Sequence, residues 1–157
     1  MGLEIERKFL VRDVAVLAGV DGVAFRQGYL STEPERSVRV RRSGDVAFIT
    51  IKGISDPSGV SRAEFEYPIP AEDADAMLDE LALRPLIEKT RYRVEAGGRV
   101  WEIDVFAGVN EGLVVAEVEL PTEQAEVAVP AWAGAEVTGD PRYYNANLVA
   151  HPYREWA

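Results

Sequence analysis

The chain has no cysteine and a single histidine, His151. Without cysteine there is neither a disulfide framework nor a thiolate metal site. One imidazole near the C-terminus disfavours a His-ligated zinc centre and a Ser-His-Asp triad, which both need imidazoles placed by the fold. No stretch approaches eighteen uninterrupted apolar residues, so no membrane-spanning helix is expected. Met1-Gly2-Leu3 runs directly into Glu4, Glu6, Arg7 and Lys8, unlike the apolar core of a signal peptide, and the cytoplasm is the expected address. Basic residues are scarce too: 17 Lys and Arg stand against 27 Asp and Glu, a formal charge of −10. A protein held on phosphates by counterion release normally shows a basic face, so neither nucleic acid nor an anionic membrane is an expected partner. A Gly-x-x-x-x-Gly-Lys-Ser/Thr loop is also missing, so any phosphate would have to be held by side chains.

The 157 residues are 47% hydrophobic and 28% charged, as in a single compact domain over 1–157. Its dominant pattern has period two, the mark of strands whose alternate side chains face opposite ways. Seven or eight strands are expected at about Gly2–Val11, Ala24–Ser31, Ser37–Arg42, Asp45–Lys52, Arg62–Pro68, Leu86–Glu95, Arg99–Phe106 and Gly112–Leu120. Ser43-Gly44 and Gly97-Gly98 supply tight turns for an antiparallel meander. Ile54–Ser61, with Asp56-Pro57-Ser58-Gly59, reads as a polar loop. Ala74, Met77, Leu78 and Leu81 fall at helical spacing after Pro70, predicting a helix that Pro85 stops. The C-terminal segment, about 121–157, is expected to be helical. Pro121–Ala133 should form short helical turns, and Asp140-Pro141 should cap a terminal helix through about Val149.

The strands' polar faces are nearly all charge. Glu4, Glu6 and Lys8 share a face, as do Arg39 with Arg41, Glu64 with Glu66, Lys89 with Arg91 and Arg93, Glu102 with Asp104, and Glu117 with Glu119; Lys52 follows Thr50 in the same way. Such i, i+2 neighbours lie about 7 Å apart, and like charges that close are unfavourable unless opposite charges lie across from them. A solvated face of an open sheet is the plain alternative. Seven coordinated rows favour a closed sheet with this face inward, bringing acidic and basic strands together around a charge-lined hole. The apolar faces would then lie outside, covered by the helices and, in part, by a second subunit of a homodimer.

Carboxylate pairs without imidazole or thiolate are hard oxygen donors suited to Mg2+, Mn2+ or Ca2+. Rows of Arg and Lys suit phosphate oxygens. Together they describe a metal–polyphosphate site in which water attacks phosphorus.

Glu4-Ile5-Glu6-Arg7-Lys8 resembles the Glu-x-Glu-x-Lys signature of the CYTH superfamily, the triphosphate tunnel metalloenzymes. The later sets follow in that family's order: Arg39-x-Arg41, Lys52, Glu64-x-Glu66, Lys89-x-Arg91, Glu102-x-Asp104 and Glu117-x-Glu119. Val137-Thr138-Gly139-Asp140 and Tyr143–Asn147 look like the C-terminal segment of short bacterial members. The resemblance implies a mainly β fold, an eight-stranded antiparallel tunnel with a charged interior, flanking helices and a C-terminal helix. It implies hydrolysis of a linear triphosphate with Mg2+ or Mn2+, tripolyphosphate to pyrophosphate and phosphate being the first expectation for so short a chain. The same resemblance makes Glu4, Glu6, Asp104, Glu117 and Glu119 the metal acids, with Glu64, Glu66 and Glu102 behind them. Lys8, Arg39, Arg41, Lys52, Lys89, Arg91 and Arg93 would cradle the phosphates. Lys8 and Tyr29 are the catalytic candidates, Tyr29 as proton acceptor; a strand aromatic at the barrel end is its plain reading. Nucleoside or thiamine triphosphatase, adenylate cyclase and a polyphosphate-binding module without turnover are the alternatives.

Overall fold

The computed structural model describes residues 3–156, so the expected strand residue Gly2 lies outside the described residues. Nine strands form: β1 Leu3–Val11, β2 Gly22–Ser31, β3 Ser37–Ser43, β4 Val46–Lys52, β5 Ser61–Ile69, β6 Ile87–Ala96, β7 Arg99–Phe106, β8 Val114–Glu119 and β9 Ala133–Glu136. The first eight pair antiparallel in the order β5-β4-β3-β2-β6-β7-β8-β1, and β5 returns to pair with β1 through Leu3↔Ala63 and Glu4↔Arg62. The sheet is thus a closed eight-stranded barrel with no free edges among those strands. The ninth strand joins β1 from outside the ring, at Phe9↔Glu136 and Val11↔Ala133.

Turn chemistry sets the register. Gly97 and Gly98 join β6 to β7 with φ of 60° and 75°; a two-residue hairpin with both central residues in that region favours glycine. This fixes Arg91 opposite Asp104 and Arg93 opposite Glu102.

The charged rows face into the barrel and the apolar rows face out. Helix α1, Ala71–Glu80, lays Ala74 and Leu78 over Val40 and Ala47 of β3 and β4. Glu72 and Asp73 in its first turn suit the positive end of the helix dipole. Phe9, Trp101, Ile103, Ala116 and Val118 form a second outer cluster. A third closes one barrel end, where Tyr29, Ile87, Phe106 and Val115 meet Tyr143 and Leu148 of the C-terminal segment. Outside β4 and β5, Ile51, Phe65 and Tyr67 stay exposed.

The C-terminal expectations need correction. Pro121–Ala133 forms no helix: it holds only two isolated i→i+3 turns, Thr122–Ala125 and Pro130–Ala133. Ala125 and Val127 alternate instead and, with Trp132, pack flat on the barrel's outer cluster, and Pro130 deprives that stretch of a backbone donor. The terminal helix is divided: a 3-10 turn at Pro141–Tyr143, capped as expected by Asp140 accepting from the Arg142 N–H, is separated from α2, Asn145–Ala150, by the extended residue Tyr144. Leu81, expected on the buried helix face, lies past the end of α1 and is 65% exposed.

Candidate active site within the barrel

The barrel encloses a cavity of about 770 Å³ lined by eight cationic and eight acidic side chains. Of the sequence-predicted residues, Glu4, Glu6, Lys8, Tyr29, Arg39, Arg41, Lys52, Glu64, Glu66, Lys89, Arg91, Arg93, Glu102, Glu117 and Glu119 all line it. Asp104 stands apart. It is 2% exposed behind the wall, accepting from Lys89 Nζ at 2.7 Å and from Arg91 Nε and Nη2 at 2.7 and 2.9 Å. Arg93 lies at a rim, 72% exposed and 3.1 Å from Glu102.

One side of the cavity, from β1, β5 and β8, is rich in acid. Lys52 Nζ bonds Glu4 at 2.8 Å and approaches Glu64 at 3.5 Å, while Arg62 Nε is 3.4 Å from Glu4. Burial pushes the Glu4 carboxyl up, but Lys52, a hydrogen bond with Glu64 and Arg62 together hold it at about 2. Burial and that same bond to ionised Glu4 push Glu64 up to about 7. Glu6 has no ion-pair partner among the described residues. Burial, then Glu117 and Glu4 beside it, raise it well above the ordinary carboxylate range. Glu117 is opposite in sense: burial raises it, and Lys8, Arg91, Lys89 and Lys52 more than reverse this. Lys8 Nζ lies 3.6 Å from Glu117.

The other side, from β2, β3 and β6, is rich in cations held largely by neutral groups. Arg39 Nη2 donates to Thr50 Oγ1 at 3.2 Å, and the Thr50 hydroxyl donates to Glu66 at 2.7 Å. Buried Arg39 Nε has no hydrogen-bond partner among the described residues. Arg41 Nε donates to Gln27 Oε1 at 3.0 Å, and its guanidinium lies 4.7 Å from the Phe25 ring centre. Among the described residues Arg41 has no carboxylate within ion-pair distance. Burial, then Arg39 and Arg91, push its pKa down; a guanidinium keeps its proton, so the strain is relieved by an anion instead. Lys89, wholly buried, is pushed down to about 7 by burial, with Arg91 and Arg41 opposing the pull of Asp104.

This arrangement has opposite unmet needs on its two sides. Among the described residues, Glu6, crowded by Glu4 and Glu117, has no cation within ion-pair distance, and Arg41 has no carboxylate there; Arg39 reaches only Glu66, at 3.7 Å. Among the described residues no three acidic or imidazole side chains stand close enough to hold a metal as they are, because Glu4 is drawn to Lys52 and Arg62 and Glu117 to Lys8. The oxygen-only donor set nevertheless suits a hard divalent cation, and the mutual repulsion of Glu4, Glu6 and Glu117 is what such a cation relieves.

The CYTH domain profile matches residues 2–153. The chain belongs to the CYTH domain family. A relative from Acetivibrio thermocellus, named inorganic triphosphatase, is 49% identical over 156 residues, covering 99% of each chain. Another of that name, from Nitrosomonas europaea, is 39% identical over 149 residues, covering 92% of this chain and 95% of the relative. A crystal structure of an inorganic triphosphatase superposes with a TM-score of 0.63 at 37% identity, covering 93% of this chain and 97% of that one. A Bacillus halodurans structure described as a putative adenylate cyclase, 16% identical with a TM-score of 0.58 over 79% of this chain and 84% of that one, shares the CYTH barrel. No helix among the described residues is long and apolar enough to cross a membrane.

Several lining residues escape a reading by sequence pattern. Arg62 shares an inward face with Glu64 and Glu66, so the period-two rule that finds those two also reaches it. Phe25 and Gln27 share the inward face of β2 with Tyr29, but an aromatic and an amide carry no charge signal. Tyr144 lies 5.6 Å from Lys8 Nζ and 5.5 Å from the Arg62 guanidinium, measured to its ring centre. It is positioned by a close approach of two loops: a Cβ on Gly59 would fall 2.2 Å from Gly139 Cα. No local pattern announces such a contact.

Proposed function

We propose that the protein hydrolyses a phosphoanhydride bond of inorganic tripolyphosphate, yielding pyrophosphate and phosphate, with Mg2+ or Mn2+ as the required cation. The observation that carries this reading is the presence, inside one closed barrel and among the described residues, of a cation with no carboxylate in reach, Arg41, opposite a crowded carboxylate with no cation in reach, Glu6. Both inorganic triphosphatase relatives match nearly the whole chain, which favours this substrate over a nucleoside or thiamine triphosphate, over cyclase chemistry and over binding without turnover.

Arg39 and Arg41 take the phosphate oxygens through forked N–H pairs, Lys89 as a point charge, and Arg91, whose Nε and Nη2 already bond Asp104, through its remaining N–H groups. Lys8 and Lys52 sit between the two sides and neutralise whichever group, carboxylate or phosphate, lies nearest. Glu4, Glu6, Glu117 and Glu119 would hold the metal, which when bound supplies charge neutralisation and Lewis acidity at phosphoryl oxygens. Asp104 orients Lys89 and Arg91 from behind, and Glu66 does the same for Arg39 through Thr50. Tyr29 packs at the closed end and lines the cavity, where its phenol is the proton acceptor of this reading. The outward strand faces that α1 and the C-terminal segment cover brace the barrel, so the donors are placed before the substrate arrives.

Phosphate release measured with tripolyphosphate, ATP, thiamine triphosphate and long polyphosphate, each with Mg2+, Mn2+ or Ca2+, tests this reading. Tripolyphosphate should be turned over with the highest kcat/KM. A clear preference for ATP or thiamine triphosphate would replace it.

A further inference from the structure

A chain of hydrogen bonds links the two sides of the basic wall through the C-terminal segment. Arg41 Nε donates to Gln27 Oε1 at 3.0 Å, Gln27 Nε2 donates to Asn145 Oδ1 at 2.9 Å, and Lys89 Nζ donates to the same Oδ1 at 2.9 Å. Gln27 is fully buried and Asn145 lines the cavity.

The direction of this chain is forced. An amide's oxygen and nitrogen are interchangeable in shape, so their assignment has to come from the partners. Here Arg41 is a guanidinium, which can only donate, and at the other end Lys89 Nζ donates as well. Arg41 therefore requires the oxygen of Gln27, which leaves the nitrogen of Gln27 to meet Asn145. Asn145 must then answer both Gln27 and Lys89 with its oxygen. Its amide nitrogen is left as a donor with no partner among the described residues. Flipping either amide would set donor against donor.

We infer that Asn145 is a substrate-binding residue whose amide N–H, aimed by Arg41 through Gln27, donates to a phosphate oxygen of the bound triphosphate. Arg41 thus acts on the substrate twice, through its own guanidinium and through the polarity it imposes on Asn145. The position adds a neutral donor beside the charged ones, and it is delivered by the same C-terminal segment that closes the barrel end. This assignment depends on the triphosphate reading above.

The discriminating pair is Asn145→Asp and Asn145→Ala. The aspartate variant keeps the shape and the oxygen facing Lys89 and Gln27 but exchanges the free N–H for a carboxylate oxygen; the alanine variant removes the group. A hydrogen bond to a charged phosphate predicts that Asn145→Ala raises KM for tripolyphosphate about 10-fold. Asn145→Asp should raise it further, by about 100-fold, although its melting temperature is no lower than that of wild type. Gln27→Met, which removes the amide without adding a charge beside Arg41, should reproduce part of the KM loss and add less on the Asn145→Ala background than on wild type, since part of its effect runs through the same N–H. If Asn145→Asp binds tripolyphosphate as well as wild type, or better than Asn145→Ala does, Asn145 merely holds Lys89 and the inference is wrong. Wild type is assayed in parallel: a wild-type enzyme that turns over tripolyphosphate while both variants keep its KM overturns this inference alone, and a wild-type protein inert toward tripolyphosphate overturns the functional reading with it.

Discussion

The acidic and basic sides of the barrel are built from the same kind of strand, yet they solve opposite problems by different means. On the acidic side, charges are held by charges: Lys52 and Arg62 clamp Glu4, and Lys8 lies by Glu117. On the basic side, Arg41 is held by Gln27 and the Phe25 ring and Arg39 by Thr50, with Glu66 reaching Arg39 only at 3.7 Å and Asp104 kept behind Lys89 and Arg91. The difference shows how a cavity lined by equal numbers of both signs can still bind a polyanion. Neutral partners orient a cation without satisfying it, so Arg39 and Arg41 keep their attraction for phosphate. Ionic partners on the acidic side leave Glu6 alone with its like-charged neighbours, and there a divalent cation is needed.

The largest effect should come from breaking the acidic side. Glu4→Gln combined with Glu6→Gln should weaken the metal requirement's half-saturation by more than the roughly 10–100-fold lost when an outer partner of a metal site is removed, read as the Mg2+ concentration giving half-maximal phosphate release; an unchanged midpoint would place the metal elsewhere. Arg41→Ala breaks the basic side. Loss of a hydrogen bond between charged groups, about 1.5–3 kcal/mol, should raise KM for tripolyphosphate roughly 10–150-fold with the Mg2+ midpoint unmoved, and a shift in that midpoint instead would show that the two sides do not divide the work as described.

A third prediction uses pH without metal. Glu64 has a folded pKa of about 7 against an ordinary 4.5, so between these values the folded chain binds more protons than the unfolded one and stability falls as pH rises. Melting temperature in EDTA should therefore decline from pH 4.5 to 7, and Glu64→Gln should flatten the decline. Glu4, held at about 2, acts below that window; it adds stability above pH 4.5 that is lost as pH falls toward 2. An identical slope in the variant would deny the shared proton between Glu64 and Glu4. Arg93→Ala should matter least. An exposed rim pair contributes about 0.2–1 kcal/mol at most, so KM should move by roughly fivefold or less, and a loss as large as that of Arg41→Ala would bring the rim into the site.

Charge with period two makes the barrel legible. Glu4, Arg41, Lys89 and Glu117 face inward because a strand cannot turn neighbouring residues the same way, and like-charged rows require partners across a closed ring. The same rule reaches Arg62. What it does not reach is the depth of a residue along the strand: Asp104 shares the inward face with Glu102, yet the Arg91↔Asp104 register buries it behind two cations. Gln27 and Asn145 are hidden for another reason. An uncharged amide leaves no trace in charge patterning, and the two are far apart in the chain, brought together only when Tyr143 and Leu148 pack into the barrel end. The stretch from Pro121 to Ala133 departs from the helical expectation because its alternating Ala125 and Val127 answer to the barrel surface, not to local propensity.

Initial rates of phosphate release from tripolyphosphate, measured as Mg2+ or Mn2+ is titrated into metal-free protein, test most directly that the two sides form one site. No release should occur in EDTA, either cation should give a saturable rise, and Arg41→Ala should keep the same titration midpoint despite its higher KM. Steady release in EDTA, or no release at any metal concentration, would contradict a single shared site.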